Sequence, residues 1–232
     1  MSIKAVVFDL DDTLWDVNPV IVQAERAHYH WLNQHAPKLT ARFTERELRG
    51  YRMSLARRHS ELTHFVTRSR MRAMDECLRL SGYSDDEAAA LAEQAFAVFW
   101  QYRNKVEPFP YAFEALEGLK RTYIVGALSN GNADVFQTSL GEWFDFAFSA
   151  EGLSVAKPDP EAFQAVLDHL KCAPQEILFV GDNPEHDIEG AYRMGMRTLW
   201  VQVKPSAKSP AFYDARIDCL SQLHQAVTQL DK

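Results

Sequence analysis

The order of short apolar runs and helical segments is the feature that most restricts the fold of this 232-residue chain. From residue 111 onward, runs rich in β-branched and aromatic residues alternate with helix-length segments. Such alternation is typical of parallel strands that form a sheet covered by helices on both faces. The run at 4–9 has the same character and suits a strand buried on both faces. We therefore predict an α/β core with a doubly wound parallel sheet.

A block with only helical periodicity interrupts this core directly after its first strand, from about 19 to 104. Asn18 is placed to cap a helix that begins at Pro19, and Thr44 and Ser84 each begin a capping-box pattern with a glutamate three residues later. The simplest organisation is a core made of residues 1–15 and 108–232, with an all-helical domain inserted at 16–107. Within the core we expect strands at 123–128, 145–148, 177–180 and 198–203, and helices at 111–121, 133–139, 160–170, 186–195 and after Leu220.

Composition and charge exclude several classes of protein. Apolar residues make up 47% and charged residues 25% of the chain, as in ordinary globular proteins. The net charge of -7 argues against a general nucleic-acid binder, which needs a basic face. Apolar runs are too short for a membrane span or a signal peptide. Three widely spaced cysteines with no CxxC pair argue against a disulfide framework or structural zinc and fit a reduced cytoplasm.

Chemically reactive side chains follow the predicted strands, and ligands of such sheets bind beyond the carboxyl ends of the strands. Because side chains alternate along a strand, Asp9 and Asp11 can point to the same side after the first strand. The other groups lie after later segments: Ser129-Asn130-Gly131, Lys157 before Pro158, and Gly181-Asp182-Asn183 with Asp187. We expect these loops to meet at one site.

The residue types suit transfer of a phosphoryl group to a carboxylate. Asp9 is the candidate nucleophile, and Asp11 the candidate acid and base for the leaving alcohol and the incoming water. The oxygen ligands Asp9, Asp11 and Asp182 favour Mg²⁺ as the cofactor. Lys157 can neutralise charge on the phosphoryl oxygens, and Ser129 can donate a hydrogen bond to one of them.

The same residues have other interpretations. Each motif alone is compatible with a solvated turn, but a calcium loop of the EF-hand type would need a glycine at its sixth position, which the Asp9 loop lacks. A phosphorylation switch of the receiver type would carry its aspartate on a later strand, in a shorter chain without an insertion. A non-catalytic metal-binding or partner-binding protein is a third alternative. The four motifs in this order favour an enzyme.

These motifs resemble those of the haloacid dehalogenase superfamily of phosphohydrolases. Its first motif is matched by Asp9-Leu10-Asp11-Asp12-Thr13, its second by Ser129, its third by Lys157, and its fourth by Gly181-Asp182 with Asp187. The resemblance implies a Rossmann-like core, a C1-type helical cap that closes over the substrate, and an aspartyl-phosphate intermediate on Asp9. It also implies Mg²⁺ held by Asp9, the backbone carbonyl of Asp11, and Asp182, with Thr13 in the catalytic loop and Asn183 and Asp187 beside the metal ligands.

The same resemblance narrows the reaction. Dehalogenases of the superfamily lack the acid two residues after the nucleophile, because a halide leaves without a proton; Asp11 therefore favours hydrolysis of phosphate esters. A phosphomutase and, less favoured, a 2-haloacid dehalogenase stay open. Phosphonate hydrolases of the superfamily use a cap lysine. Residues 39–104 contain no lysine, which argues against a phosphonate hydrolase.

Further stretches are similar to bacterial phosphatases of the flavin pathway: Trp15-Asp16 after the first motif, Pro19-Val20-Ile21, Val66-Thr67-Arg68 with Arg70, and Asn130-Gly131-Asn132-Ala133. The implied substrate is 5-amino-6-(5-phospho-D-ribitylamino)uracil or FMN, and a broad sugar-phosphate or nucleotide phosphatase is the alternative. The expected partner is a small phosphorylated metabolite, and neither nucleic acid nor a membrane is expected as a partner. The protein is expected to be a monomer or a weak dimer.

The inserted domain has an unusual charge. Residues 42–79 contain ten arginines and no lysine, against five acids. Most of these arginines suit a solvated helix surface, but Arg68 and Arg70 are our candidates for binding the substrate together with Ser129, Asn130 and Lys157, since guanidinium groups bind phosphate and carbonyl oxygens. Trp15 is expected to pack at a hinge or to line the leaving-group side of the pocket.

Overall fold

The computed structural model describes residues 2–204 and 208–231, and the chain forms two compact units. One unit is Asn18–Lys105, and the other joins the flanking segments, which end at Val17 and resume at Val106. The first and last residues of the Asn18–Lys105 unit each differ by two from those expected for the insertion, 16 and 107. Among the described residues, no helix has the length and apolar character needed to cross a membrane.

The flanking segments form the parallel sheet. In the described part of the chain it has six strands: β1 (Ala5–Phe8), β2 (Ile124–Ser129), β3 (Phe146–Ser149), β4 (Ile177–Gly181), β5 (Arg197–Val201) and β6 (Ala215–Ile217), in the order β3-β2-β1-β4-β5-β6. All neighbouring strands are parallel, which confirms the predicted α/β class. Phe8 pairs with Ala127 on one side and Val180 on the other, so the loops that follow β1, β2 and β4 leave the same edge of the sheet.

The helical unit is built from α1 (Val17–His35), α2 (Pro37–Arg42), α3 (Glu45–Arg58), α4 (Val66–Leu80) and α5 (Asp85–Arg103). Both predicted capping boxes are present: Thr44 and Ser84 accept hydrogen bonds from the backbone N–H three residues later. The prediction that Asn18 caps α1 is wrong. The helix begins at Val17, two residues before the predicted first residue Pro19, because the Asp12 carboxylate accepts the Val17 N–H at 3.1 Å.

Five further helices surround the sheet in the described residues: α6 (Ala112–Lys120), α7 (Ala150–Leu153), α8 (Pro160–Leu170), α9 (Gly190–Arg193) and α10 (Leu223–Leu230). The helix α8 matches its predicted bounds, because Asp159 caps it and Pro160 is its first residue. Its Phe163 packs against Phe179 of β4, with ring centroids 5.3 Å apart, in the core beneath β4.

Two predicted helices differ from the structure, and one strand of the structure was not predicted. The helix expected at 133–139 is a single 3₁₀ turn, Val135–Gln137, because the side chains of Asp134 and Thr138 bond to nearby backbone groups and compete with helical hydrogen bonds. The helix expected at 186–195 is a π-helical turn, Pro184–Glu189, followed by α9. The strand β6 was not predicted, since three residues are too few to show a period of two.

Candidate active site

A cavity of about 220 Å³ opens at the carboxyl edge of the sheet, and the α/β unit alone lines it. Eight of the predicted site residues line it: Asp9, Asp11, Ser129, Asn130, Lys157, Asp182, Asn183 and Asp187. The structure thus brings together groups that lie as much as 178 residues apart in the sequence, because the parallel sheet carries their loops to one edge.

Lys157 occupies the interior wall of this cavity. Its side chain is buried, and Nζ lies 2.8 Å from Asp9 Oδ1 and 2.6 Å from Asp187 Oδ1. Both carboxylates are buried too. A buried charge is tolerated only when it is paired and hydrogen-bonded, so the ammonium group and these two acids depend on one another.

Asn130 holds the backbone of Lys157 from the end of β2. Its Oδ1 accepts the Lys157 N–H at 2.9 Å, and its Nδ2 donates to the Lys157 carbonyl at 2.8 Å. Both polar atoms of the Asn130 amide are therefore engaged by one residue. The neighbouring Ser129 is buried, and its Oγ accepts the Gly131 N–H at 3.0 Å.

Three carboxylates form a candidate metal site. Oxygen atoms of Asp9, Asp182 and Asp187 all lie within 4.8 Å of one another. Thr13, a predicted member of the site, donates from Oγ1 to Asp182 Oδ1 at 3.0 Å, and Thr13 Oγ1 also lies 3.5 Å from Asp9 Oδ2. A donor set made only of oxygen atoms fits a hard divalent cation such as Mg²⁺.

The electrostatics of the site agree with that donor set. Burial raises the pKa of Asp9 well above its ordinary value, and the charges of Asp187 and Asp182 raise it further against the opposing effect of Lys157. Burial, followed by the charge of Asp187, raises the pKa of Asp182 to about 7. Burial alone would lower the pKa of Lys157, but Asp187 and Asp9 raise it. Three carboxylates thus surround one ammonium group, and a divalent cation would offset the excess negative charge.

Close packing at the end of β4 requires a glycine at position 181. A Cβ atom on Gly181 would lie 2.4–2.5 Å from atoms of the Asp187 side chain, which real Cβ contacts do not permit. Asp187 cannot easily move away, because it also accepts the Asn183 N–H at 2.9 Å. Glycine at this position therefore lets Asp187 reach Lys157.

Two side chains that support the site were missed by sequence reasoning. Lys204 Nζ lies 2.9 Å from Asp12 Oδ1 and 2.6 Å from Asp16 Oδ1, and so fastens the loop after β1. Lys204 follows the predicted strand 198–203, so the rule that sites lie at strand ends could have found it. Trp200 Nε1 donates to the Asp182 carbonyl at 2.9 Å; a tryptophan within a buried strand gives no signal of this kind.

Trp15, Arg68 and Arg70 are not among the described residues that line the cavity. Trp15 is fully buried, and its Nε1 donates to Asp11 Oδ1 at 2.8 Å. Arg70 is buried within the helical unit, 2.9 Å from Glu25 Oε1, with its guanidinium carbon 3.6 Å from the centroid of the Phe99 ring. Arg68 is exposed on the same helix. Substrate binding by these residues stays a prediction.

Comparison with known proteins agrees with the site. Residues 3–195 match the family model of haloacid dehalogenase-like hydrolases. The chain is 32% identical over 200 residues to 5-amino-6-(5-phospho-D-ribitylamino)uracil phosphatase YigB of Escherichia coli (strain K12), which covers 86% of this chain and 84% of that protein. It is 28% identical over 233 residues to (S)-2-haloacid dehalogenase 4A of Burkholderia cepacia, covering 96% and 94%.

A crystal structure described as that of a 2-haloacid dehalogenase from Pseudomonas syringae pv. Tomato DC3000 is similar over nearly the whole chain. Its TM-score is 0.89 at 40% identity, with 98% of this chain and 99% of that chain covered. The extent of the family match, together with motifs whose side chains meet at one cavity, shows that this chain belongs to the haloacid dehalogenase-like hydrolase family.

Proposed function

We propose that the protein is a Mg²⁺-dependent phosphomonoester hydrolase that acts through an aspartyl-phosphate intermediate. The observation that carries the proposal is the single cavity in which Asp9, Asp11, Ser129, Lys157 and Asp182 meet. These residues supply a nucleophile, an acid, a hydroxyl donor, a cation and a metal ligand within reach of one bound phosphoryl group. Relatives named as phosphatases support the same reaction class.

The first half of the reaction uses Asp9 and the cations around it. A carboxylate oxygen of Asp9 attacks phosphorus, so that an O–P bond forms while the bond to the leaving alcohol breaks. Lys157 and the Ser129 hydroxyl stabilise the phosphoryl oxygens. Asp9, Asp182 and the backbone carbonyl of Asp11 would hold Mg²⁺, which supplies charge neutralisation for the phosphoryl group when bound.

Asp11 carries the proton in both halves. It protonates the departing alcohol oxygen, and its carboxylate then accepts a proton from the water that attacks the phosphorus of the aspartyl phosphate. Inorganic phosphate leaves, and Asp9 is regenerated. Since Asp9 and Asp11 line the same cavity, one bound ester can meet both groups.

The proposed substrate is 5-amino-6-(5-phospho-D-ribitylamino)uracil or FMN, and a broader sugar-phosphate or nucleotide phosphatase is the alternative. The first compound is the one named for the relative from Escherichia coli. We propose that the helical unit acts as a cap and that Arg68, whose side chain is exposed, is its phosphate- or carbonyl-binding arginine. Arg70, which pairs with Glu25 inside the unit, would support the helices instead. A cytoplasmic location is supported by three cysteines that form no disulfide.

The test is release of inorganic phosphate in the presence of Mg²⁺ from the uracil compound, FMN, sugar phosphates, nucleotides and p-nitrophenyl phosphate. Asp9→Asn should lower kcat at least a thousandfold, because a neutral amide cannot replace the attacking carboxylate. Asp168→Asn, the same change at an exposed acid of α8, should leave kcat unchanged. If the Asp9 variant retained more than about a thousandth of the wild-type kcat, the proposed nucleophile would be wrong. Transfer of phosphate within a sugar, without release, would indicate a phosphomutase.

A second candidate is hydrolysis of 2-haloacids, which the 40% identical crystal structure favours by its description. Asp11 argues against it, because a halide needs no proton to leave. Halide release from both enantiomers of 2-chloropropionate should be measured on the same preparation. Halide release without phosphate release would replace the proposed function with this one.

A further inference from the structure

Trp15 is tied to Asp11 by a tight turn of the loop after β1. The Asp12 N–H donates to the Trp15 carbonyl at 2.8 Å, and the Leu14 N–H donates to the Leu10 carbonyl at 2.9 Å. Asp12 adopts a left-handed conformation, with φ of 62°, which a short polar side chain tolerates better than most. The turn brings the Trp15 indole back to Asp11, where Nε1 donates to Oδ1 at 2.8 Å.

The backbone at Trp15 is held by contacts of its own. Trp15 forms an isolated antiparallel bridge with Pro108, and the Phe109 N–H donates to the Leu14 carbonyl at 2.8 Å. Both sequence segments that join the two units therefore meet at Trp15. The indole is fully buried, so its orientation cannot relax into solvent.

We propose that Trp15 is a positioning residue that orients the Asp11 carboxylate for proton transfer to the leaving alcohol. The inference rests on the proposed function and adds to it a residue that does not touch the substrate. Proton transfer requires heavy atoms within about 2.6–3.2 Å, whereas an aspartate side chain has two rotatable bonds. Asp11 is only half-buried. A donor held in the interior restricts that side chain to one orientation beside the cavity that it lines.

Trp15→Phe tests this role, because it keeps an aromatic ring and removes the N–H. The readout is kcat/KM for two kinds of ester, since kcat/KM covers the steps up to departure of the alcohol. Alkyl phosphates need a proton on the leaving oxygen, and p-nitrophenyl phosphate does not. We expect a loss of about tenfold on alkyl phosphates, the factor that one hydrogen bond of ordinary strength controls, and less than about threefold on p-nitrophenyl phosphate.

Trp143→Phe is the matched control, because the Trp143 Nε1 atom is buried with no hydrogen-bond partner among the described residues. It should change neither substrate's kinetics. If Trp15→Phe does not fold, β-(3-benzothienyl)alanine at position 15 keeps the bicyclic shape without the N–H, and the same selective loss is expected.

Equal losses on both kinds of ester, or no loss, would refute the positioning role while wild-type turnover keeps the proposed function. A wild-type protein that hydrolyses no phosphate ester would refute both.

Discussion

Replacing Asn130 by alanine separates two roles for this residue. Its side-chain amide makes two hydrogen bonds to the backbone of Lys157, at 2.8 and 2.9 Å. If Asn130 acts by holding Lys157, its loss displaces the ammonium group that lies between Asp9 and Asp187. If Asn130 instead contacts the substrate, as the sequence suggested, its loss weakens binding.

The magnitude follows from the number of hydrogen bonds and the distances involved. Loss of two hydrogen bonds of about 1 kcal/mol each, one to a backbone donor and one to a backbone acceptor, should lower the free energy of unfolding by about 1–3 kcal/mol. A displacement of about 1 Å at a reacting group can cost about a hundredfold in rate. We therefore expect kcat to fall by about 10- to 100-fold, with KM changed by less than about threefold.

Steady-state kinetics on p-nitrophenyl phosphate with Mg²⁺, together with urea unfolding, measure both effects. Asn130→Asp should lose at least as much kcat, because its second oxygen cannot donate to the Lys157 carbonyl. Asn33→Ala, at an exposed position of α1, controls for the substitution itself. A raised KM with an unchanged kcat would refute the argument and indicate uniform substrate binding.

Two other predictions concern stability. Burial, followed by the charge of Arg70, lowers the pKa of His28 from 6.5 to about 4, so the stability of the fold is retained above pH 6.5 and lost as pH falls towards 4. In urea unfolding between these pH values, the free energy of unfolding of the wild type should fall by about 3 kcal/mol more than that of His28→Gln. The variant His30→Gln, changed at an exposed position, should behave as wild type. Equal pH dependence of wild type and His28→Gln would contradict this. Gly181→Ala should lower the melting temperature and displace Asp187, since overpacking costs about 1–3 kcal/mol. The control Gly50→Ala should do neither, because a Cβ atom at position 50 has no neighbour within 4 Å. A Gly181→Ala protein with the melting temperature and kcat of the wild type would show that the close contact relaxes freely.

Much of the fold could be predicted because its local signals agree with its long-range packing. The run at 4–9 is apolar throughout and becomes β1, buried between β2 and β4. The capping patterns at Thr44 and Ser84 involve residues only three apart, so no distant contact can override them. The prediction of a helix at 133–139 is wrong for a different reason. Its residues permit a helix, but Asp134 accepts the Phe136 N–H and Thr138 donates to the Val135 carbonyl. These bonds are as local as those of a helix, so two local patterns compete in this segment.

The meeting of the site residues could be anticipated from strand order, but their interactions could not. Parallel strands deliver the loops after β1, β2 and β4 to one edge whatever the side chains are. Which atoms then bond depends on distances that no spacing encodes. Arginine at helical spacing is compatible with a solvated face, a ligand contact or a buried ion pair, and Arg70 forms the last with Glu25.

Asp11 shows how a single residue can meet a chemical and a structural requirement together. A buried indole N–H needs an acceptor, because an unsatisfied donor in the interior costs about 1–3 kcal/mol. Asp11 supplies that acceptor to Trp15 at 2.8 Å. Removing the Asp11 carboxylate would therefore remove the proposed acid and also leave the Trp15 N–H without this acceptor, so loss of activity in Asp11→Ala alone cannot assign the acid. Trp15→Phe leaves the Asp11 carboxylate in place. This variant therefore tests the orientation of the carboxylate, whereas Asp11→Ala removes the carboxylate altogether.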